Sequence, residues 1–279
     1  MSFMKMFLAH LFKLFFKIPF LRRTFFGVHQ KIFKPLNLFN GVSSIQKHHD
    51  IKIKLNINDW IQQNIFFLGS YEDAELKVLS NHLKPDSVFI DIGANFGLYS
   101  LIASQHISEE GTIISFEPFP ENYKSLCTNL SLNNLQRITA ENTAVGSETG
   151  TLKLYYNSKE NNLGMVSSIK TQNSDFVTVN KICIDDYLKT ESLKKITFVK
   201  IDVEGFEYDV LQGMKQTLQQ YSPIILIEVL DSKSQKNVSN KPHELLCEMG
   251  YKRFFIDDNG KLLSDSQNQE RKNYLYKRN

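Results

Sequence analysis

The chain has 279 residues, of which 42% are hydrophobic and 23% charged, as in an ordinary globular protein. Its three cysteines are far apart in the chain and form no CxxC pair, which argues against a disulfide scaffold and against a structural zinc site. Residues 1–49 carry eight Lys or Arg and no Asp or Glu, whereas the other 230 residues carry 25 basic and 30 acidic side chains. Because the basic charge is not spread over the body of the protein, the composition argues against a nucleic-acid-binding protein.

The first predicted element is an amphipathic helix. Residues 3–18 are mostly Phe, Leu and Met interrupted by lysines, and Pro19 ends the helix. The longest stretch without Lys or Arg, residues 6–12, is far shorter than the roughly 20 residues of a membrane-spanning helix. No signal-peptide cleavage site follows. Two interpretations fit: a helix in the plane of a membrane surface, or a helix docked on its own domain or on a partner subunit. Residues 31–50 predict a connector.

From residue 51 onward, short apolar or alternating runs, which are typical of strands, are separated by helical segments. This succession of strands and helices predicts an α/β fold with a mostly parallel, doubly wound sheet. Two runs in which apolar and polar residues alternate predict an additional antiparallel pair of strands. The chain is therefore divided into a basic apolar arm and connector, residues 1–50, and one domain, residues 51–279. The predicted strands are 51–57, 87–93, 112–117, 137–145, the antiparallel pair 151–156 and 176–182, 196–202, 223–229 and 251–256, and the predicted helices are 71–82, 96–105, 122–132, 206–220 and 242–249.

A glycine-containing turn predicts a cofactor site. The sequence DIGANFG (91–97) follows a buried strand and opens a helix, so it lies at the sheet edge where doubly wound folds bind ligands. Glu117 ends the next strand and is well placed to accept hydrogen bonds from a ribose diol. The turn is GxNxG rather than GxGxxG and offers no cradle for a pyrophosphate. A nucleoside without phosphates, such as S-adenosylmethionine, is therefore the better ligand.

Four blocks of the sequence resemble the FkbM-type S-adenosylmethionine-dependent methyltransferases over about residues 70–230. The blocks are VFIDIGANFGLYSL (88–101), FEPFPENYKSLCTNLSLNN (116–134), AVG (144–146), and VKIDVEGFEYDVLQGM (199–214) followed by PIILIEV (223–229). The resemblance implies a class I methyltransferase, Rossmann-like, with a seven-stranded sheet in the order 3-2-1-4-5-7-6 and helices on both faces. It also implies O-methylation, often of sugar hydroxyls in glycans, glycolipids or natural products.

The same resemblance implies which residues bind the cofactor. Asp91, Gly93, Asn95 and Gly97 match the family's cofactor loop, and Glu117 matches its ribose-binding acid. Phe116 and Pro118 flank that acid and are candidates for packing on adenine. Asn142 to Ala144 lie where the class passes the adenine edge.

Acidic and basic side chains at the end of the fourth strand are the catalytic candidates. Lys200, Asp202 and Glu204 lie beside the cofactor loop in this fold, and methyl transfer to a hydroxyl needs a base. The structural alternatives are an ion pair between Lys200 and Asp202, and acidic residues, Glu207 above all, that stabilise the start of a helix. Asp202, Glu204 and Glu228 together offer carboxylates for a divalent cation, but no compact metal motif supports one, and no metal site is predicted.

The leading prediction is an S-adenosylmethionine-dependent O-methyltransferase that acts on a glycan or other hydroxyl acceptor. A nicotinamide-dependent oxidoreductase and a non-catalytic, membrane-associated nucleoside-binding module are the alternatives. The expected location is cytoplasmic, with peripheral contact at the inner face of the membrane through residues 3–18. The segments 157–175 and 231–241, rich in Asn and Ser, are predicted acceptor loops. The acceptor's identity and the oligomeric state are not encoded in any readable pattern.

Overall fold

The computed structural model describes residues 2–156, 175–191, 193–228, 240–264 and 273–278. They form two compact units. The first contains the residues up to Glu72, and the second contains the described residues from Asp73 onward up to Tyr156 and again from Asp175. The predicted acceptor segments 157–175 and 231–241 lie almost entirely outside the described residues.

The first unit is a small helical assembly with a hairpin. Two positive-φ residues, His49 (φ 44°) and Asp50 (φ 66°), form the tight turn between the hairpin strands, and the predicted boundary between residues 50 and 51 falls at that turn. Asp59 caps the last helix by accepting a hydrogen bond from the Gln62 backbone N–H at 3.0 Å. The elements are α1 (Ser2–Phe16), α2 (Pro19–Arg22), α3 (Phe25–Val28), a π-helical turn (His29–Phe33), β1 (Ser43–His48), β2 (Ile51–Asn56) and α4 (Trp60–Leu68).

An aromatic core holds the first unit together. Phe16 and Phe33 are fully or almost fully buried, and ring centroids in the core lie 4.9 to 6.5 Å apart in mostly edge-to-face pairs. The predicted N-terminal helix is therefore docked within its own unit through one face. The connector predicted at residues 31–50 is wrong in part, because Ser43–His48 pairs with β2. The core rings are Phe12, Phe16, Phe25, Phe33, Phe39 and Phe67.

The second unit contains an eight-stranded sheet and a smaller three-stranded sheet. Its helices are α5 (Asp73–His82), α6 (Leu98–Ala103), α7 (Pro120–Leu132), α8 (Ile184–Tyr187), α9 (Glu207–Gln212), α10 (Lys215–Tyr221) and α11 (Lys241–Glu248). Its strands are β3 (Val88–Ile92), β4 (Thr112–Phe116), β5 (Thr139–Glu141), β6 (Ala144–Val145), β7 (Gly150–Tyr156), β8 (Asp175–Ile182), β9 (Phe198–Ile201), β10 (Ile224–Glu228), β11 (Lys252–Ile256), β12 (Leu262–Ser264) and β13 (Asn273–Lys277).

The large sheet has the order β12-β11-β13-β10-β9-β3-β4-β5. The five strands from β10 to β5 are parallel, and β13 runs antiparallel to its neighbours β10 and β11. Without the edge strand β12, this is the expected order 3-2-1-4-5-7-6, so the fold prediction is confirmed, with eight strands instead of seven. The strands of the sheet carry buried apolar side chains such as Ile90, Ile114 and Val199, as expected for parallel strands that are covered on both faces.

Two predicted elements are interrupted in the structure. The strand expected over residues 137–145 ends at Glu141, and Ala144–Val145 instead pairs with β8 in the three-stranded sheet β6-β8-β7. The helix expected over residues 206–220 breaks at Gly213, where a Cβ atom would lie 2.0 Å from the Gly146 carbonyl oxygen. This close backbone approach requires glycine at the break between the two helices. The predicted antiparallel pair of strands is confirmed as β7 and β8.

Candidate active site

The cofactor loop lies between β3 and α6 and is held to the end of β4 by backbone hydrogen bonds. The Gly93 and Ala94 N–H groups donate to the Phe116 carbonyl oxygen at 2.9 and 3.0 Å. Three loop residues have positive φ: Gly93 (78°), Asn95 (52°) and Gly97 (94°). The loop is therefore a left-handed turn fixed on the neighbouring strand, at the carboxyl edge of the sheet.

Glu117 is a buried carboxylate beside this loop. Its Oε2 accepts a hydrogen bond from the Asn95 N–H at 2.8 Å, and its Oε1 accepts one from the Phe119 N–H at 2.9 Å. The side chain is 5% exposed, and burial raises its pKa to about 7, although the two N–H donors and Lys200 act in the opposite direction. Each oxygen accepts one hydrogen bond from the protein, and a carboxylate oxygen can accept a second.

Asp91 occupies a different environment from Glu117. It is completely buried at the end of β3, its Oδ2 accepts a 2.6 Å hydrogen bond from the Ser100 hydroxyl, and Lys200 Nζ lies 4.0 Å from its Oδ1. Burial raises the Asp91 pKa, and Lys200 is the largest influence that lowers it. Asp91 Oδ1 has no hydrogen-bond partner within the described part of the chain. These contacts join the start of the cofactor loop to the strand that carries the catalytic candidates.

Backbone packing requires glycine at position 93, whereas the positive φ of 94° is what favours glycine at position 97. A Cβ atom on Gly93 would lie 1.8 Å from the Asp202 carbonyl oxygen, and one on Gly97 would lie 2.6 Å from Leu126 Cδ1. The space next to the backbone at position 97 is therefore taken by the α7 side chain Leu126. Gly93 brings the cofactor loop into direct backbone contact with the segment after β9.

The residues predicted to lie near adenine differ in their surroundings. Asn142 Nδ2 donates to the carbonyl oxygens of Glu117 (2.8 Å) and Pro118 (3.1 Å), which joins the residue after β5 to the segment after β4. Pro118 is half-buried beside them. Phe116, a predicted adenine contact, is 1% exposed and belongs to the hydrophobic core. Ala144 lies in β6 and pairs with Lys181 of β8.

Lys200 connects the cofactor loop to the catalytic candidates. Its Nζ donates to the Gly93 carbonyl oxygen and to Asp202 Oδ2, both at 3.1 Å. The same ammonium lies 5.0 Å from the centre of the Tyr99 ring. A carbonyl, a carboxylate and an aromatic face are all partners for a cation, so these contacts favour a positioning role for Lys200 over that of a base.

Asp202 and Glu204, the other two catalytic candidates, follow Lys200 in the chain and are more exposed than it is. Asp202 has a side chain that is 30% exposed, and its backbone N–H donates to the Ile92 carbonyl oxygen at 3.0 Å. Glu204 is exposed and has φ 51°, immediately before Gly205 at φ 97°. A non-glycine residue in this conformation is uncommon and needs support from its surroundings.

Glu207 supports the left-handed corner at Glu204 and Gly205. This contact was not apparent from the sequence. It is 5% exposed, and its Oε1 accepts the Gly205 N–H at 2.9 Å. Burial raises the pKa of its carboxyl group. The sequence predicted a charge at the start of a helix, and Glu207 is indeed the first residue of α9. It is also buried and bonded to the corner that carries Glu204. Its place in the VEGFE block was the available signal, but its burial could not be deduced from that block.

The remaining carboxylate candidate, Glu228, ends β10 opposite Asn273 of β13. Over the described ranges, no three His, Cys, Asp or Glu side chains are grouped closely enough to hold a metal ion.

Comparison with known proteins decides the family of the chain. The methyltransferase FkbM domain matches residues 91–253, which include the cofactor loop, Glu117 and all three catalytic candidates. The chain belongs to the FkbM methyltransferase family. This membership favours methyl transfer over the nicotinamide-dependent alternative.

The chain is similar to two named methyltransferases and to a solved structure. Methyltransferase 1 of Beauveria bassiana is 28% identical over 193 residues, which are 63% of this chain and 74% of that protein. The hexuronic acid methyltransferase AglP of Haloferax volcanii is 24% identical over 168 residues, 60% of this chain and 66% of that protein. Among solved structures, the FkbM methyltransferase from Methylobacillus flagellatus is 16% identical with a TM-score of 0.44; the match covers 78% of this chain and 59% of that one.

Proposed function

We propose that this FkbM-family protein is an S-adenosylmethionine-dependent O-methyltransferase that methylates a sugar hydroxyl of a glycan, glycolipid or natural product. The observation that carries the proposal is Glu117, a buried carboxylate that accepts a hydrogen bond from the cofactor loop. The similarity of the chain to a hexuronic acid methyltransferase supports a sugar as the acceptor.

The residues present fit this cofactor. Glu117 keeps acceptor sites for the two hydroxyls of a ribose, and the left-handed loop from Gly93 to Gly97 presents backbone groups beside it. That loop contains no Lys or Arg, so it suits a nucleoside better than a pyrophosphate. Asn142, bonded to the Glu117 and Pro118 carbonyls, would lie on the adenine side.

The proposed chemistry divides between the cofactor and this chain's side chains. The cofactor, when bound, supplies an electrophilic methyl group. Asp202 orients the acceptor hydroxyl and takes its proton, and Lys200 holds the Asp202 carboxylate in place from the buried side. Glu204, on the exposed corner that follows, would contact the acceptor.

The expected cellular location is cytoplasmic, with peripheral contact at the inner face of the membrane. Within the described residues, no helix combines the length and the apolar composition needed to cross a membrane.

Transfer of a labelled methyl group tests the proposal. The full-length protein would be incubated with methyl-labelled S-adenosylmethionine and with free hexuronic acids or extracted glycolipids, and the products would be treated with mild alkali. A hexuronic acid offers both hydroxyls and a carboxylate, and only a methyl ester would release its label. The proposal expects transferred label that resists alkali. Label released by alkali would contradict a hydroxyl acceptor, and binding of the cofactor without transfer to any acceptor would favour a non-catalytic module.

A further inference from the structure

Helix α1 presents a continuous apolar stripe to solvent. Phe3 is 86% exposed, Phe7 60% and Leu14 59%. At 100° per residue, the six exposed apolar residues of the helix fall within about 120° of its circumference. Such a patch on one element of a folded unit marks an interaction surface. The stripe consists of Phe3, Met4, Phe7, Leu11, Leu14 and Phe15.

The opposite face of α1 is already bound to the first unit. Ala9 and Phe16 are fully buried there, and Lys13 Nζ donates to Gln46 Oε1 at 2.7 Å and lies 4.6 Å from the centre of the Phe66 ring. Lys5 Nζ donates to the Asn40 carbonyl oxygen at 3.2 Å. These contacts fix the rotation of the helix, so the stripe faces outward as part of the folded unit and is not required for its core.

The charge of the residues around the stripe favours an anionic membrane over a second copy of the protein as the binding partner. Residues 1–72 carry ten Lys or Arg and three Asp or Glu, a net charge of +7, and the first acidic residue is Asp50. Lys17, Arg22 and Arg23 follow the stripe along the chain and are exposed. A second copy of this surface would bring the same positive charge against it, whereas an anionic bilayer offers apolar chains for the stripe and negative headgroups for the basic side chains.

We propose that the α1 stripe is a docking surface for anionic phospholipid membranes. The helix lies parallel to the bilayer with its aromatic and aliphatic side chains at the boundary between headgroups and acyl chains, while its other face stays packed on the first unit. The two interpretations open from the sequence, a docked helix and a membrane-surface helix, are therefore compatible. The inference concerns lipid binding and is independent of the proposed methyl transfer.

Flotation with vesicles tests the proposal on the full-length protein. Vesicles would contain either phosphatidylcholine alone or phosphatidylcholine with a quarter phosphatidylglycerol. The triple variant Phe3→Ser, Phe7→Ser, Leu14→Ser removes three exposed side chains of the stripe. Phe176→Ser is the matched control, because Phe176 is 54% exposed and lies on β8 in the second unit.

We expect the protein to bind the anionic vesicles. Binding should be weaker at high salt and weaker to vesicles of zwitterionic phosphatidylcholine alone. The triple variant should lose about 100-fold or more in partitioning, with an unchanged melting temperature, and Phe176→Ser should bind as the original protein does. A folded protein that ignores anionic vesicles would overturn the proposal. So would a chain that forms dimers which the triple variant dissociates, because the stripe would then be a contact between copies. Methyl-transfer activity is not part of the readout, so failure here would remove the expected membrane contact but leave the proposed methyl transfer untouched.

Discussion

At the scale of single residues, the candidate site depends on charged groups held in unusual surroundings. Glu117 and Asp91 are both buried carboxylates with raised pKa values, and Lys200 lies among Asp91, Asp202 and the Gly93 carbonyl. Buried carboxylates destabilise a protein when they ionise without sufficient compensation. A site that maintains them at this cost is typical of ligand binding or catalysis.

The raised pKa of Glu117 predicts a pH-dependent stability. Because the pKa of Glu117 is about 7 in the folded protein against an ordinary value of 4.5, protonation stabilises the fold below pH 4.5, and this contribution is lost as the pH rises toward 7. Glu117→Gln cannot titrate. Between these two pH values, the free energy of unfolding should therefore fall by about 3 kcal/mol in the original protein relative to the variant. Urea unfolding without cofactor measures both; a constant difference would show that Glu117 does not titrate as described.

Asp202 is the residue for which the mechanism makes its clearest prediction. Asp202→Asn keeps the shape but removes the carboxylate, so turnover should fall by about 100- to 10,000-fold while cofactor affinity changes little. Asp186→Asn is the control, because Asp186 also pairs with a lysine, Lys189 at 2.6 Å, but on the exposed surface of α8. Turnover near normal in Asp202→Asn would mean that the base lies elsewhere.

At the scale of elements, the site depends on the packing of two loops at the carboxyl edge of the sheet. The Gly93 backbone touches the Asp202 carbonyl, the Asp202 N–H donates to Ile92, and Glu207 supports the corner at Glu204 and Gly205. The cofactor loop and the catalytic segment therefore form one structure.

Two glycine substitutions separate loop packing from backbone strain. Gly93 and Gly69 have nearly equal φ, 78° and 73°, but a Cβ atom on Gly69 would meet nothing within 4 Å. Gly69→Ala should cost only the strain of a left-handed residue, about 1 kcal/mol. Gly93→Ala must also displace the Asp202 carbonyl, so it should cost several times more and weaken cofactor binding. Equal losses of unfolding free energy would contradict the described contact.

The elements also show what the sequence could predict. The buried strands and the left-handed glycine turn after β3 were predictable, because apolar runs and glycine turns are local signals, and the order of the large sheet followed from the family resemblance. The break after Glu141 and the break at Gly213 were not, because each depends on a partner distant in the chain: β8 for one and the Gly146 carbonyl for the other. The burial of Glu207 was hidden for the same reason.

At the scale of the whole molecule, the chain combines two units of opposite charge. Residues 1–72 have a net charge of +7, and the other residues, with 23 basic and 27 acidic side chains, have −4. Each unit has its own core, of phenylalanine rings in the first and of strand residues in the second. The predicted cofactor residues and catalytic candidates all belong to the second unit.

Separate cores predict separate responses to heat. S-adenosylhomocysteine at about 100 times its dissociation constant should stabilise the second unit by about 2.7 kcal/mol. Phe16→Ala, at a fully buried ring, should destabilise the first unit by about 3 to 5 kcal/mol, whereas Phe7→Ala on the same helix should change it by less than about 0.5 kcal/mol. Calorimetry of the full chain should show the ligand and Phe16→Ala moving different transitions. A single transition moved by both would mean that the units unfold together.

Titration calorimetry with S-adenosylhomocysteine measures whether the protein binds the proposed cofactor and whether Glu117 contributes to that binding. The full-length protein should bind it while failing to bind NAD⁺. Glu117→Gln should weaken binding by about 10- to 150-fold, the cost of a charged partner in a buried hydrogen bond, and Glu121→Gln, at an exposed acid four residues along the chain, should leave it unchanged. A folded protein that does not bind S-adenosylhomocysteine, or that binds it equally well after Glu117→Gln, would contradict the account.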